Sequence, residues 1–185
     1  MGYQKALEKG WGDIESLADK KIISARLLSD TYTIDTQKRT IISESCNVPA
    51  KDYISILLLH YLEKKLKLKS MPGLTGEWID FNQLEGGEAY YPAFKKRTID
   101  HVLKKYGSNP DGLLKTTERM PAEKGGSGDA GIIVRPFEGV PILITMWKAD
   151  EEFGPSANIL FDKNISQIFC TEDVVVLTEL VVHQL

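Results

Sequence analysis

The strongest constraint on the fold is an apolar stretch from about Ala50 to Leu66. Its apolar side chains cover most of a helical circumference, and such a helix is buried on more than one side. Pro49 precedes the stretch, and proline in a first helical turn costs no hydrogen bond. The sequence therefore predicts a helix that other elements surround. Its apolar residues are Tyr53, Ile54, Ile56, Leu57, Leu58, Leu59, Tyr61 and Leu62.

Hairpins and further helices flank this central helix. Branched residues around a polar turn at 36–38 predict one hairpin, and two apolar runs separated by Glu138-Gly139 predict another. Amphipathic spacing predicts a first helix over 3–18, although Gly10 and Gly12 weaken it, and a third helix that begins at Pro92. A last helix begins at Thr171. This order predicts an α+β fold, a single compact domain with a mainly antiparallel sheet packed by about four to five helices.

Length and composition favour one globular domain over residues 1–185. With 42% hydrophobic residues, a chain of this length can bury about 70% of its unfolded surface without staples. The net charge of −3 argues against nucleic acid or an anionic membrane as a partner. The first residues lack a basic segment followed by an apolar run, so we expect a cytoplasmic protein.

The two cysteines, Cys46 and Cys170, lie too far apart in the sequence to form a metal-binding pair. We expect both to be reduced thiols. Residues 126–131 match the pattern G-x-G-x-x-G, but a dinucleotide site needs a strand before the pattern and a helix after it. Neither is predicted here. The composition instead predicts a mobile Gly-rich loop at about 121–131, with the option that it closes over a ligand.

Three consecutive carboxylates, from Asp150 to Glu152, join two predicted strands between Trp147 and Phe153. Alternate side chains of an extended chain face the same way, so Asp150 and Glu152 can converge. They could bind a divalent cation or carry acid/base chemistry, and a solvated acidic turn is the alternative. Other polar residues beside loops that could meet this turn are Asp129, Glu88 and Asn158.

Two histidines stand near the ends of strongly apolar helices, His60 and His183. Neutral imidazole binds iron, cobalt and zinc, so both are weak metal-ligand candidates. The alternative is a satisfied histidine at the boundary of the core, with His183 paired to Glu179 one turn earlier. The basic run Lys95-Lys96-Arg97 lies close to Tyr90 and could bind phosphate or form a solvated helix face.

Several segments resemble, in order, the bacterial and archaeal domain-of-unknown-function family 3786. These are 74–79, 86–94, 128–130, Trp147 with 150–153, 156–162 and 171–173. Family members are typical of anaerobes, and some carry a cysteine-rich module like the iron–sulfur module of corrinoid proteins. The resemblance thus implies work near metallocofactors. Two distant cysteines cannot hold a four-iron cluster, so this chain alone would hold no iron–sulfur cluster.

The leading hypothesis is an accessory protein that binds a small molecule or a metallocofactor such as a corrinoid, or that works beside a metallocofactor protein. Its unusual polar and aromatic residues fall in loops and element ends, where function is commonly placed. The alternatives are a carboxylate-based enzyme, with or without Mg²⁺, and a protein-interaction module. Catalysis, ligand identity and oligomeric state stay open. The candidate binding residues are Glu77, Trp78, Glu88, Tyr90, Tyr91, Asp129, Trp147, Asp150, Glu152 and Asn158.

Overall fold

Helices and two antiparallel sheets alternate along the chain in a computed structural model that describes residues 2–68 and 70–185. The helices are α1 (Gly2–Leu17), α2 (Asp52–Leu68), α3 (Gly87–Arg97), α4 (Ile99–Tyr106), α5 (Asp111–Leu114), α6 (Ile165–Ile168) and α7 (Thr171–Gln184), with 3₁₀ turns at Phe81–Gln83 and Lys115–Glu118. The strands are β1 (Ile22–Leu27), β2 (Asp30–Asp35), β3 (Thr40–Ser43), β4 (Trp78–Asp80), β5 (Ala122–Lys124), β6 (Ala130–Phe137), β7 (Val140–Trp147) and β8 (Ser156–Asp162).

The strands form a three-stranded sheet in the order β1-β2-β3 and a five-stranded sheet in the order β4-β8-β7-β6-β5. All neighbouring strands in both sheets are antiparallel. Both predicted hairpins are present, since β2 pairs with β3 and β6 pairs with β7. The prediction of a single α+β domain with antiparallel sheets built from hairpins is confirmed.

Helix α2 is surrounded, as its apolar circumference predicts. Leu57, Leu58 and Leu59 are all 1% exposed or less, so each contributes about 1.5–3 kcal/mol of hydrophobic stabilisation. Tyr61 stacks on Phe137 of β6 with ring centroids 4.4 Å apart, and its hydroxyl donates to the Glu138 carbonyl at 3.1 Å. These contacts pack α2 against the β6–β7 hairpin.

Helix α1 packs on another side of α2 and runs without a break through both of its glycines. A Cβ atom at Gly10 would lie 3.1 Å from two atoms of Leu59. Gly10 therefore allows the close approach of the two helices, whereas nothing lies within 4 Å of a Cβ at Gly12. The expected weakening by these glycines concerns the stability of α1. The path of the helix is continuous from Gly2 to Leu17.

Strand β7 is the centre of the larger sheet. Its residues from Val140 to Met146 are all buried, which is typical of a strand covered on both faces. The apolar residues of α7 are buried as well, among them Val174, Leu177 and Val181. With α2 and α7 both in the core, the helices cover the sheets that the hairpins form.

Proline signals misplaced the beginnings of two helices. Pro49 lies in an isolated antiparallel bridge with Ile42, three residues before α2 begins. Pro92 lies inside α3, which begins five residues earlier at Gly87, and the predicted single helix is broken at Thr98 into α3 and α4. Helix α4 ends at Tyr106, and Gly107 follows it in a right-handed conformation (φ −58°, ψ −34°).

The Gly-rich segment contains β5 and a turn that lies against β7. Gly126 and Gly128 have φ of 91° and 95°, values that favour glycine. A Cβ at Gly128 would come within 2.6 Å of the Met146 carbonyl oxygen. The predicted mobility of 121–131 stays a prediction.

One contact joins the two sheets through the backbone. Leu28 follows β1, and its N–H donates to the carbonyl of Pro136 in β6 at 2.7 Å. Among residues 2–68 and 70–185, this is the one backbone hydrogen bond that connects the sheets. No helix in these ranges is long and apolar enough to cross a membrane.

Candidate functional site

Five of the predicted binding residues gather at one end of the larger sheet. Trp147 and Asn158 pair with residues of the neighbouring strand there. Asp129 Oδ2 accepts a hydrogen bond from the Lys148 N–H at 2.7 Å, which brings the Gly-rich turn beside the end of β7. Asp150 and Glu152 follow β7 in the connection to β8.

The acidic turn uses its first carboxylate to hold its own backbone. Asp150 Oδ1 accepts hydrogen bonds from the N–H groups of Phe153 at 2.7 Å and Glu152 at 2.9 Å. These bonds, with Phe153 the stronger cause, lower the pKa of the Asp150 carboxyl. The side chains from Ala149 to Pro155 are all exposed. The contacts of Asp150 are those of a solvated turn.

The carboxylate-enzyme alternative requires Asp129, Asp150, Glu152 and Glu88 to share a pocket. None of them lines any of the four cavities described for residues 2–68 and 70–185. Within the same ranges, no group of three or more His, Cys, Asp or Glu side chains is arranged to hold a metal ion.

Glu77 and Trp78 lie at the opposite end of the larger sheet. Trp78 pairs with Asp162, whereas Trp147 pairs with Ser156, and six residues of β8 span about 20 Å. Glu77 forms an ion pair with Lys163 at 3.1 Å. The structure therefore does not bring the 77–78 segment to the acidic turn.

A buried carboxylate organises this second end. Asp162 is 2% exposed and accepts hydrogen bonds from the Thr75 hydroxyl and from the N–H groups of Thr75, Gly76 and Asn164 at 2.9–3.1 Å. Burial alone would raise the pKa of Asp162, but these hydrogen bonds hold it below its usual value. Asp162 thus anchors the loop before β4.

The remaining three predicted residues belong to α3. Glu88 lies in its first turn, and Tyr91 packs against Phe94 with centroids 6.4 Å apart. Tyr90 is half exposed and lines a cavity beside the beginning of α7. Tyr90 is the one member of the ten that lines any of the four cavities described.

That cavity leads to a histidine–carboxylate pair. His60 of α2 and Asp173 of α7 are 113 positions apart, yet His60 Nδ1 lies 3.0 and 2.9 Å from the two carboxylate oxygens of Asp173. Asp173 is 7% exposed, and the Cys170 thiol also donates to its Oδ2 at 3.2 Å. Because Asp173 is in the first turn of α7, its charge also complements the positive end of the helix dipole.

Both groups that contact Asp173 have raised pKa values, for different reasons. The hydrogen bond with Asp173 raises the pKa of His60, against the opposing effect of burial. Burial raises the pKa of the Cys170 thiol, so Cys170 lacks the lowered pKa of a nucleophilic cysteine.

The two histidines singled out as metal candidates do not meet. Asp173, which holds His60, lies ten residues before His183, or about 15 Å along α7. His183 Nδ1 donates to the Glu179 carbonyl at 2.7 Å. Glu179 is therefore the partner one turn earlier, as predicted, but it accepts through its backbone. The ring of His183 packs instead against His101, with centroids 4.6 Å apart.

Three cavities follow one another along α7, and we call them together the α7 groove. The N-terminal cavity has about 690 Å³ and includes His60, Tyr90 and Asp173. The middle cavity has about 490 Å³ and shares His60 and Asp173 with the first, and the C-terminal cavity has about 460 Å³. Tyr3, Tyr53 and Val176 line both the middle and the C-terminal cavities. Each volume lies in the range of small-molecule sites.

Reasoning from the sequence missed most of this groove. It gave Asp173, Tyr3, Tyr53 and Cys170 no role in a site. A signal was available, because His60 and Asp173 are polar residues on two of the most apolar helices of the chain. Buried polar groups need partners, so the two could have been paired.

Comparison with known proteins gives one match. The model of a family described as "Domain of unknown function (DUF3786)" matches residues 14–184. No curated protein and no solved structure matches the chain significantly.

Proposed function

The chain belongs to the domain-of-unknown-function family DUF3786, and we propose that it is an accessory, cytoplasmic protein that binds a small molecule in the α7 groove. The ligand class that we propose is a metallocofactor, such as a corrinoid, and His60 is the residue that would contact the metal. The proposed site is the α7 groove and not the loops that the sequence indicated. Tyr90 is the one predicted binding residue that also lines the groove.

The observation that carries the proposal is the contact between His60 Nδ1 and both oxygens of Asp173. A histidine that binds a metal almost always donates its other ring N–H to a carboxylate, a carbonyl or water, which fixes the tautomer and the ring orientation. With Nδ1–H directed to Asp173, the lone pair of His60 lies on Nε2. Among the described residues, Nε2 has no hydrogen-bond partner.

The surroundings of His60 also suit a large, mostly apolar ligand. His60 lines both the N-terminal and the middle cavity. Tyr53, Ile56 and Val176 give the middle cavity an apolar wall, and Tyr3 lies at its exposed side. A bound metallocofactor would supply a metal that can accept a further ligand, and the chain would supply the imidazole of His60 and the apolar wall.

Absorbance titration tests this function with two metallocofactors, hydroxocobalamin and hemin. We expect at least one of them to show the spectral change of imidazole ligation with the wild-type protein, and we expect His60→Ala to abolish it. Asp173→Asn should weaken binding by about 10- to 100-fold, the usual effect of losing the carboxylate behind a ligating histidine.

His101→Ala is the matched control, because it removes a histidine that lines none of the four cavities described. It should bind like the wild type. The metal-ligand role is wrong if neither compound changes its spectrum with the wild-type protein, or if His60→Ala and His101→Ala bind equally well.

A further inference from the structure

The C-terminal cavity of the α7 groove has a polar end that His60 does not reach. Arg97 of α3 and Glu179 of α7 form an ion pair there, with Nη2 and Oε2 3.2 Å apart. The Arg97 side chain is 52% exposed, so its guanidinium keeps room for a second partner. His183 lines the same cavity and is exposed.

Basic side chains lie beside this end of the groove. His101 packs against His183, and the pKa of His101 is lowered first by burial and then by the charges of His183, Lys105 and Lys104. The two lysines of α4 therefore add to the positive charge of Arg97 near this end, while Glu179 is held in its ion pair with Arg97.

A single ligand can contact both ends. Tyr3, Tyr53 and Val176 line the middle and the C-terminal cavities, so the two are neighbours with a common apolar wall. About 15 Å of α7 separates Asp173 from His183. A ligand of this length needs an apolar or aromatic body between its two polar ends.

We propose that the ligand of the α7 groove carries an anionic group, a carboxylate or a phosphate, that binds Arg97 and His183 while its apolar body lies against Tyr3 and Tyr53. This inference rests on the proposed binding function and adds the chemistry of the second end. The planar guanidinium of arginine suits both anions, because it can donate two parallel hydrogen bonds to them.

Two fluorescent dyes test the anionic end. Anilinonaphthalene sulfonate has an aromatic body and an anionic group, and phenylnaphthylamine has a similar body without the charge. We expect Arg97→Gln to weaken binding of the sulfonate by about tenfold, the effect of about one charge-assisted hydrogen bond. Binding of the neutral dye should stay within about twofold of that of the wild type.

Lys104→Gln is the matched control, since it removes one positive charge from the neighbouring helix α4 at a residue outside the cavity lining. It should leave the affinity for both dyes nearly unchanged. The inference is overturned if Arg97→Gln and Lys104→Gln behave alike, if Arg97→Gln weakens both dyes equally, or if neither dye binds the wild-type protein.

A double variant separates loss of the guanidinium from release of Glu179. Arg97→Gln leaves the Glu179 carboxylate without its partner, and a freed carboxylate would itself repel an anion. In Arg97→Gln with Glu179→Gln, we expect sulfonate binding to stay weak. Recovery to the wild-type affinity would overturn the inference. Failure of the cobalamin and hemin titrations, with the dye results as expected, would refute only the role of His60.

Discussion

His60 connects the stability of the fold with its proposed binding function. The side chain of His60 is 28% exposed and the side chain of its partner Asp173 is 10% exposed, so solvent weakens their interaction only in part. Hydrogen bonds to charged groups of this kind contribute about 1.5–3 kcal/mol. The contact of His60 Nδ1 with Asp173 stabilises the protonated imidazole. It also fixes the ring orientation in which Nε2 could contact a metal.

The raised pKa of His60 predicts a pH-dependent free energy of unfolding. A group whose pKa is higher in the folded state stabilises the protein below its unfolded pKa, here 6.5, and loses that effect as the pH rises through the folded pKa. The contribution of the pair should therefore be complete well below pH 6.5 and should be lost as the pH rises through the raised pKa of the folded state. Urea unfolding across this range measures it.

Asp173→Asn is the comparison for this measurement. It should lower the unfolding free energy at the acidic end by about 1.5–3 kcal/mol, and the difference from the wild type should shrink as the pH rises above 6.5. A difference that is constant with pH would show that His60 carries no extra proton in the folded state.

At the scale of single elements, α1 provides a matched pair of glycines. Gly12 is exposed in α1, and a Cβ there meets nothing within 4 Å. Gly12→Ala should therefore raise the unfolding free energy by about 0.5–1 kcal/mol, because alanine loses less backbone entropy in a helix. Thermal and urea unfolding measure the effect.

Gly10→Ala should lack this gain, because its Cβ would lie 3.1 Å from Cβ and Cδ1 of Leu59. Leu59 is fully buried, so it has little room to move. The explanation of Gly10 as a residue of close approach fails if both variants stabilise the protein equally.

Elements that depend on local patterns were predictable, and those that depend on distant contacts were not. The β6–β7 hairpin follows from two apolar runs separated by Glu138-Gly139, and its turn residue Gly139 has φ of 76°. Pro49 and Pro92 were misread because both positions are also compatible with a first helical turn. The bridge from Pro49 to Ile42 and the earlier start of α3 depend on neighbours that the local sequence does not reveal.

At the scale of the whole molecule, the same distinction separates the fold from the candidate site. The acidic turn was visible as a cluster in the sequence, and its Asp150 contacts are local. The α7 groove depends on residues from α1, α2, α3 and α7, and its central pair spans 113 positions. No spacing rule connects His60 to Asp173, so only the packing of two apolar helices brings them together.

The Leu28–Pro136 hydrogen bond bears on how the molecule opens in solution. Because it is the one described backbone link between the sheets, we expect the three-stranded sheet to open as a separate cooperative unit. We expect amides of β2 to exchange their hydrogens at least about tenfold faster, relative to unfolded chain rates, than amides of β7. Equal protection in both strands would indicate one unit.

This separation also determines which amides a bound ligand would protect from hydrogen exchange. A ligand in the α7 groove contacts α7, which packs against the larger sheet, so it should slow hydrogen exchange in β7. Exchange in β2 should stay nearly unchanged, because the small sheet would continue to open and close while the groove remains assembled. Exchange in β7 would then report ligand binding, and exchange in β2 would serve as the internal reference.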